Sequence, residues 1–305
     1  MPLDKIQKLQ ILKSYPTAQA VYTLDRDGDE TIVVVLPHEQ QPDHVNVPDT
    51  LAGLPVDIEF DSEFTDLRFY PNRPGNPLAD PNTAQHRSCH DEPIPGGVQI
   101  QPRTARWVGT LGTACSFLDG DRKRQWGLLS NWHVLCAGAF KRRHPLCQPD
   151  TTNPVIAHLD DWHPVDSSLT NYIDAAVADS RIDGLHSVGP AILGASRVHP
   201  IPVHAELNLP VMKSGRTTGI TEGLCVGVAA AVKINYGTFV AAFVDQDLFE
   251  GTDQNFSAAG DSGSLIFTDP GSQPVSLLFA GGGRLTIGNP IRRVIQRFNL
   301  RFNFP

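Results

Sequence analysis

From Trp107 to the end, the chain is cut into short apolar runs separated by Gly, Pro and Asp turns, and this rhythm limits the fold more than any other feature. Runs such as Cys225 to Tyr236, Thr238 to Phe249, Ser264 to Asp269 and Val275 to Gly281 read as strands of antiparallel sheets. Sheets of this kind avoid exposed edges by closing into barrels. The spacing predicts a mainly β protein with one barrel over about 107–182 and a second over about 203–289, joined by a connection near 183–202. Only Pro290 to Leu300 is expected to be helical, because Ile291, Val294, Ile295 and Phe298 fall on one face.

At 305 residues the chain exceeds such a double barrel by about a hundred residues, all of them N-terminal. Met1 to Tyr15 places Leu3, Ile6, Leu9 and Leu12 at threefold spacing, with Ile11 widening the stripe, and predicts an amphipathic helix packed on the strands that follow. Ala18 to Leu24 and Thr31 to Leu36 read as two strands around a turn at 25–29, and Pro55 to Phe60 as a third. The turn lacks the glycine and the bidentate glutamate of a calcium loop. The expectation is a small α+β domain over 1–85, a Pro-, Asn- and Gly-rich linker arm over 86–106, and the barrels over 107–305.

Charge and composition remove several classes of function. A net charge of −8 and a pI near 5.7 leave no basic stripe for nucleic acid. No run is long enough to cross a bilayer, and the first helix has no apolar core of signal-peptide length, so no membrane partner and a cytoplasmic location are expected. Five cysteines, an odd number, read as free thiols. The His86, Cys89, His90 and Cys136, His144, Cys147 clusters lack a recognised zinc spacing, so neither metal nor cofactor is expected.

The chemistry is concentrated in three places. Ala259-Gly260-Asp261-Ser262-Gly263-Ser264 presents a serine between small residues, just before the apolar run Leu265-Ile266-Phe267. A serine hydroxyl needs a base to take its proton and N–H groups to receive the charge made on an attacked carbonyl, and Gly260 can turn its N–H inward beside that of Ser262. His133 stands in the apolar stretch Ser130-Asn131-Trp132-His133-Val134-Leu135. Asp174 interrupts the core-like run Asn171 to Ala178, and a carboxylate buried there requires a partner such as a histidine N–H. The chain order His, Asp, Ser is that of the chymotrypsin arrangement.

With these motifs in place, the sequence resembles the trypsin-like, chymotrypsin-fold serine proteases through SNWHVL, NYIDAAVA and AAGDSGSLIF. VMKSGRTTGITEG at 211–223, LLFAGG at 277–282 and GNPI at 288–291 are similar to intracellular bacterial peptidases related to the plant narrow-leaf protease. The resemblance implies a serine endopeptidase with a double barrel of chymotrypsin type, acting on protein or peptide substrates and leaving room for a homo-oligomer. It implies His133 as general base and acid, Asp174 as its orienting partner, Ser262 as nucleophile, and the N–H groups of Gly260 and Ser262 as an oxyanion hole. The substrate pocket falls to Phe256, Ser257, Ala280, Gly281 and Gly282; with Phe256 where trypsins carry an aspartate, it should take a small or medium apolar side chain. Asp253 would reverse that preference if its loop were shifted. Asp261 has no new N-terminal ammonium to meet, so Arg216 or Lys213 is expected to support it and with it the oxyanion loop. Two other readings share this frame: an inactive protease-fold scaffold that binds proteins, and a protease held off by its own N-terminal arm.

Overall fold

The strand Gly219–Asn235 organises the molecule because its 17 residues are long enough to serve two neighbours in succession. In the computed structural model, which describes residues 3–26, 29–39, 47–71, 81–136, 141–182 and 185–303, its first half pairs with Pro210–Gly215. Its second half receives the N-terminal strand Ala20–Arg26, with Ala20 opposite Val232. Along its other edge runs Val240–Gly251, with register shifts between Cys225 and Val232 that bend the strand.

Six strands return on themselves: Val240–Gly251, Leu285–Pro290, Pro274–Gly281, Leu265–Thr268, Pro210–Gly215, Gly219–Asn235, and Val240–Gly251 again. That ring leaves no open edge. The other half is a seven-stranded sheet running from Gly109–Thr110 through Gln99–Pro102, Pro145–Cys147, Val155–His163, Ala175–Asp179 and Arg124–Ser130 to Thr113–Leu118. Its two edge strands are nearly consecutive in sequence, so the sheet curls until they adjoin. The mainly β class expected from the punctuation is what the chain adopts. The closing helix is Ile291–Phe298, with Ile291, Val294 and Phe298 buried and Asn299 capping it in the left-handed conformation.

The N-terminal segment does not stand apart as an α+β unit. Its strands Ala20–Arg26, Asp29–Pro37, Leu54–Asp61 and Thr50–Leu51 extend the ring in that order, and Thr170–Asn171, paired with Val240–Gly251, completes an eleven-stranded sheet. The reason lies in Ile32–Leu36, where every residue is buried, so both faces of that strand must be covered. Val33 and Val35 join the core that holds Phe279, while Ile32, Val34 and Leu36 pack under the helix Lys5–Ser14. Nor are residues 86–106 wholly a linker, since Ile94–Gly96 pairs in parallel with Val188–Ile192 and Gln99–Pro102 belongs to the seven-stranded sheet. The tip of the first hairpin, 27–28, and residues 183–184 of the connection lie outside the described residues.

The helix itself corrects the threefold stripe. Asp4 caps it through Ile6 and Gln7, but Ile6 is 58% exposed whereas Lys8 is only 3% exposed. At 100° per residue, Ile6 lies about 120° round the helix from the buried Leu12, while Lys8 lies within about 40°. Burial holds the Lys8 ammonium below its ordinary pKa, opposed by Glu30 and Asp245. Among the described residues no helix is long and apolar enough to cross a membrane.

Candidate active site

Adjacent strands bring His133 and Asp174 together. Arg124–Ser130 ends in the helical turn Trp132–Leu135 that carries His133, and it pairs with Ala175–Asp179, which Asp174 precedes. The His133 Nδ1 lies 2.6 Å from Asp174 Oδ2, and the His133 backbone N–H donates to Oδ1 at 3.2 Å. Both side chains are fully buried. The Tyr236 hydroxyl donates to Oδ2 at 2.7 Å, and burial together with that carboxylate drives its pKa far above the ordinary phenol value. Asn131 and Asn289 fix the backbone: Asn131 Nδ2 donates to the Asp174 carbonyl at 2.8 Å, and Asn289 Oδ1 accepts the Asp174 N–H at 2.9 Å. The imidazole is therefore locked from one side. Its Nε2 is buried and has no hydrogen-bond partner among the described residues.

Ser262 sits on a turn that only glycine can make. Gly260 and Gly263 have φ of +105° and +98°, and a Cβ on Gly260 would lie 2.4 Å from Thr217 Oγ1. Gly109 lets the two halves close: a Cβ there would fall 2.6 Å from Val134 Cγ2 and 3.1 Å from the Ser262 carbonyl oxygen. Beneath the turn the fully buried Asp261 accepts hydrogen bonds from the N–H groups of Thr217 at 2.7 Å and Ala258 at 3.0 Å and from the Thr218 hydroxyl at 2.7 Å. Its cation is Lys213, with Nζ at 3.4 Å and both side chains excluded from solvent. Arg216 is directed elsewhere. Its Nε donates to Gln99 at 2.7 Å and its guanidinium lies 3.9 Å from the centre of the Phe69 ring, while burial lowers its pKa to about 10.

The cleft beside Ser262 is filled by the chain's own residues 62–70. Asp61 pins the entrance, its carboxylate accepting the backbone N–H groups of Ser62, Gly283, Arg284 and Leu285 at 2.7–3.0 Å. Thr65 and Gly281 exchange backbone hydrogen bonds at 3.0 and 3.1 Å. The Leu67 carbonyl accepts the Gly260 N–H at 2.6 Å, and the Ser262 hydroxyl donates to the Asp66 carbonyl at 2.6 Å and the Phe279 carbonyl at 3.2 Å. Phe69 and Val108 then pair in both directions across the other wall. Asp66 and Arg68 form an ion pair at 2.6 Å over the intervening residue, and Arg68 also donates to the Tyr236 carbonyl at 2.8 Å.

Of the expected pocket residues, Phe256 shares an apolar cluster with Leu67, and Gly281 and Ser257 adjoin it: a Cβ on Gly281 would lie 3.2 Å from Leu67 Cδ1 and 3.4 Å from Ser257 Oγ. Gly282 is set against Ser62 and Phe64 instead, and Ala280 points into the main core. Asp253 is exposed. The five cysteines are free, and His86 hydrogen-bonds Ser214 through Nε2 at 3.1 Å. Among the described residues no three His, Cys, Asp or Glu side chains gather as metal ligands. Sequence reasoning missed Tyr236, which no motif surrounds, and the cleft-filling stretch 62–70, which reads only as part of a polar arm. Asn131 and Asn289 lay within quoted motifs without being singled out.

No protein-family model matches the chain, and no curated protein matches it. Among solved structures it is similar to a glutamic acid specific serine protease, at 19% identity over 68% of this chain and 99% of that one, with a TM-score of 0.48. It is likewise similar to the chymotrypsin of Cellulomonas bogoriensis, at 19% identity over 68% and 97% with a TM-score of 0.47. An alpha-lytic protease homolog is similar at 17% identity over 69% and 99%, with a TM-score of 0.49. All three TM-scores lie below 0.5 and all three identities below 20%.

Proposed function

We propose that the chain is a serine endopeptidase that hydrolyses peptide bonds through an acyl-enzyme, with Ser262 as nucleophile, His133 as general base and then acid, and Asp174 as the group that orients the imidazole. The observation that supports this reading is the buried His133–Asp174 pair, whose Nε2 has no partner among the described residues, together with a serine whose turn already holds a carbonyl oxygen on the Gly260 N–H. Asp174 fixes the proton on Nδ1, which leaves Nε2 as the basic nitrogen. When Ser262 attacks, its proton passes to Nε2, and the buried carboxylate stabilises the imidazolium that forms. The oxyanion is received by the Gly260 and Ser262 N–H groups. The departing amine takes the proton from Nε2, and water then releases the acyl group by the same route.

Specificity for an apolar side chain follows from the surroundings of Leu67, where Phe256 offers no charge to offset a lysine or arginine. The test is covalent labelling with a fluorophosphonate, read by intact mass. The full chain gains one adduct, located at Ser262, and Ser262→Ala gains none while keeping its melting temperature. Equal labelling of both chains overturns the assignment.

A further inference from the structure

Resting on the protease reading above, we infer that Thr65–Phe69 is an internal peptide seated on the substrate-binding surface, with Leu67 in the specificity pocket and the Leu67–Arg68 bond facing Ser262. The enzyme is then latent through its own chain and, once the segment leaves, cleaves extended peptides after leucine. The register comes from main-chain contacts on both sides of the serine. Thr65 pairs with Gly281 as an added antiparallel strand, the Leu67 carbonyl rests on the Gly260 N–H, and Phe69 pairs with Val108. Between those fixed points only Leu67 can put its carbonyl on the oxyanion donor, and its side chain joins Phe256, Val211 and Ile266 in an apolar cluster.

The same contacts explain why the seated bond is not in reacting geometry. The Ser262 hydroxyl spends its proton on the Asp66 and Phe279 carbonyls instead of on His133 Nε2, which stays unpaired. Leu67 has φ of +46°, a left-handed conformation that is strained for a leucine and that an unconstrained peptide would relax. The Asp66–Arg68 ion pair closes over this bend, and Arg68 is held a second time by the Tyr236 carbonyl. Asp61 anchors the upstream end to the loop 283–285, so the segment competes with any incoming peptide as a tethered ligand. A free peptide of the same sequence lacks the Asp61 anchor and the fixed chain ends. In it, Ser262 Oγ bonds to the leucine carbonyl carbon, the carbon–nitrogen bond breaks, the arginine nitrogen takes the proton from His133, and water hydrolyses the ester.

The experiment compares the full chain with Leu67→Glu and Arg68→Ala, each checked for a cooperative thermal transition. The readouts are the fluorophosphonate labelling rate and turnover of a quenched peptide carrying residues 63–70. Leu67→Glu places a carboxylate among apolar side chains and is expected to speed both by about tenfold or more, because the accessible fraction of clefts rises. Arg68→Ala changes them in the same direction by a smaller factor, and the peptide is cut between its leucine and arginine. Labelling of the unaltered chain as fast as that of both variants overturns the latency, and cutting at another bond overturns the register. Folded variants that never label at Ser262 defeat the protease reading itself, which is a separate failure.

Discussion

Asp174, beside His133, and Asp261, beneath the Ser262 turn, are both fully buried carboxylates, yet the chain treats them in opposite ways. Asp261 has a buried lysine, Lys213, whose pKa burial lowers against the raising effect of Asp261 itself, and a ring of N–H and O–H donors from 217, 218 and 258. Asp174 has a backbone N–H, a phenol and an imidazole, of which only the imidazole can become charged. A carboxylate with a fixed counterion is a strut: its energy is the same before and during a reaction. Under the proposed protease reading, Asp174 stabilises a charge that appears only when the imidazole takes the Ser262 proton. On that reading the Ser262 turn is a mount, and the His133 wall is where charge moves.

This division makes graded demands. Asp174→Asn should slow fluorophosphonate labelling by about 10³–10⁴-fold with little loss of stability, because a carboxamide favours the wrong imidazole tautomer. Parallel loss of folding and labelling would mean that Asp174 too is a strut. Lys213→Met should do the reverse. By leaving Asp261 without its cation it is expected to destabilise the fold by about 3 kcal/mol, measured by urea denaturation, and to impair labelling only through a distorted turn. A stable Lys213→Met chain that cannot be labelled would place the lysine in the chemistry.

A third buried carboxylate gives the smallest and most pH-dependent effect. Burial raises the Asp247 carboxyl to about 7, with the Ser276 hydroxyl opposing that rise. Between its ordinary value of 3.8 and about 7 the folded chain holds a proton that the unfolded chain has released, so stability falls as pH rises through that window. Asp247→Asn is expected to stabilise the chain by about 1–3 kcal/mol near pH 8 and by almost nothing near pH 4, read from urea midpoints. An equal gain at both values would exclude titration as the cause.

Much of this molecule could be read from residue order. Strand punctuation predicted the mainly β class, and the pairing of His133 with Asp174 was legible because a carboxylate that interrupts an apolar run needs a partner. The support of Asp261 was legible only to within two cations, since Lys213 and Arg216 stand three positions apart on one strand and the turn after it; Phe69, far away in sequence, decides which of them is drawn off. The fate of 62–70 was invisible for a related reason. Its register is set by main-chain pairing, which leaves no trace in side-chain identity. The N-terminal strands were recognised as strands, but not as part of the larger sheet, because pairing partners more than two hundred residues apart carry no local mark.

The sharing of Gly219–Asn235 between the six-stranded ring and the N-terminal hairpin bears on how the cleft could be opened. Cutting away everything before Arg103 would strip Ala20–Arg26 from its neighbour and lay bare the apolar residues that Val33 and Val35 cover, a surface suited to clumping with other copies. Unmasking must therefore act on the short tether alone, by lifting it or severing it, while the scaffold that delivers it stays welded to the barrel.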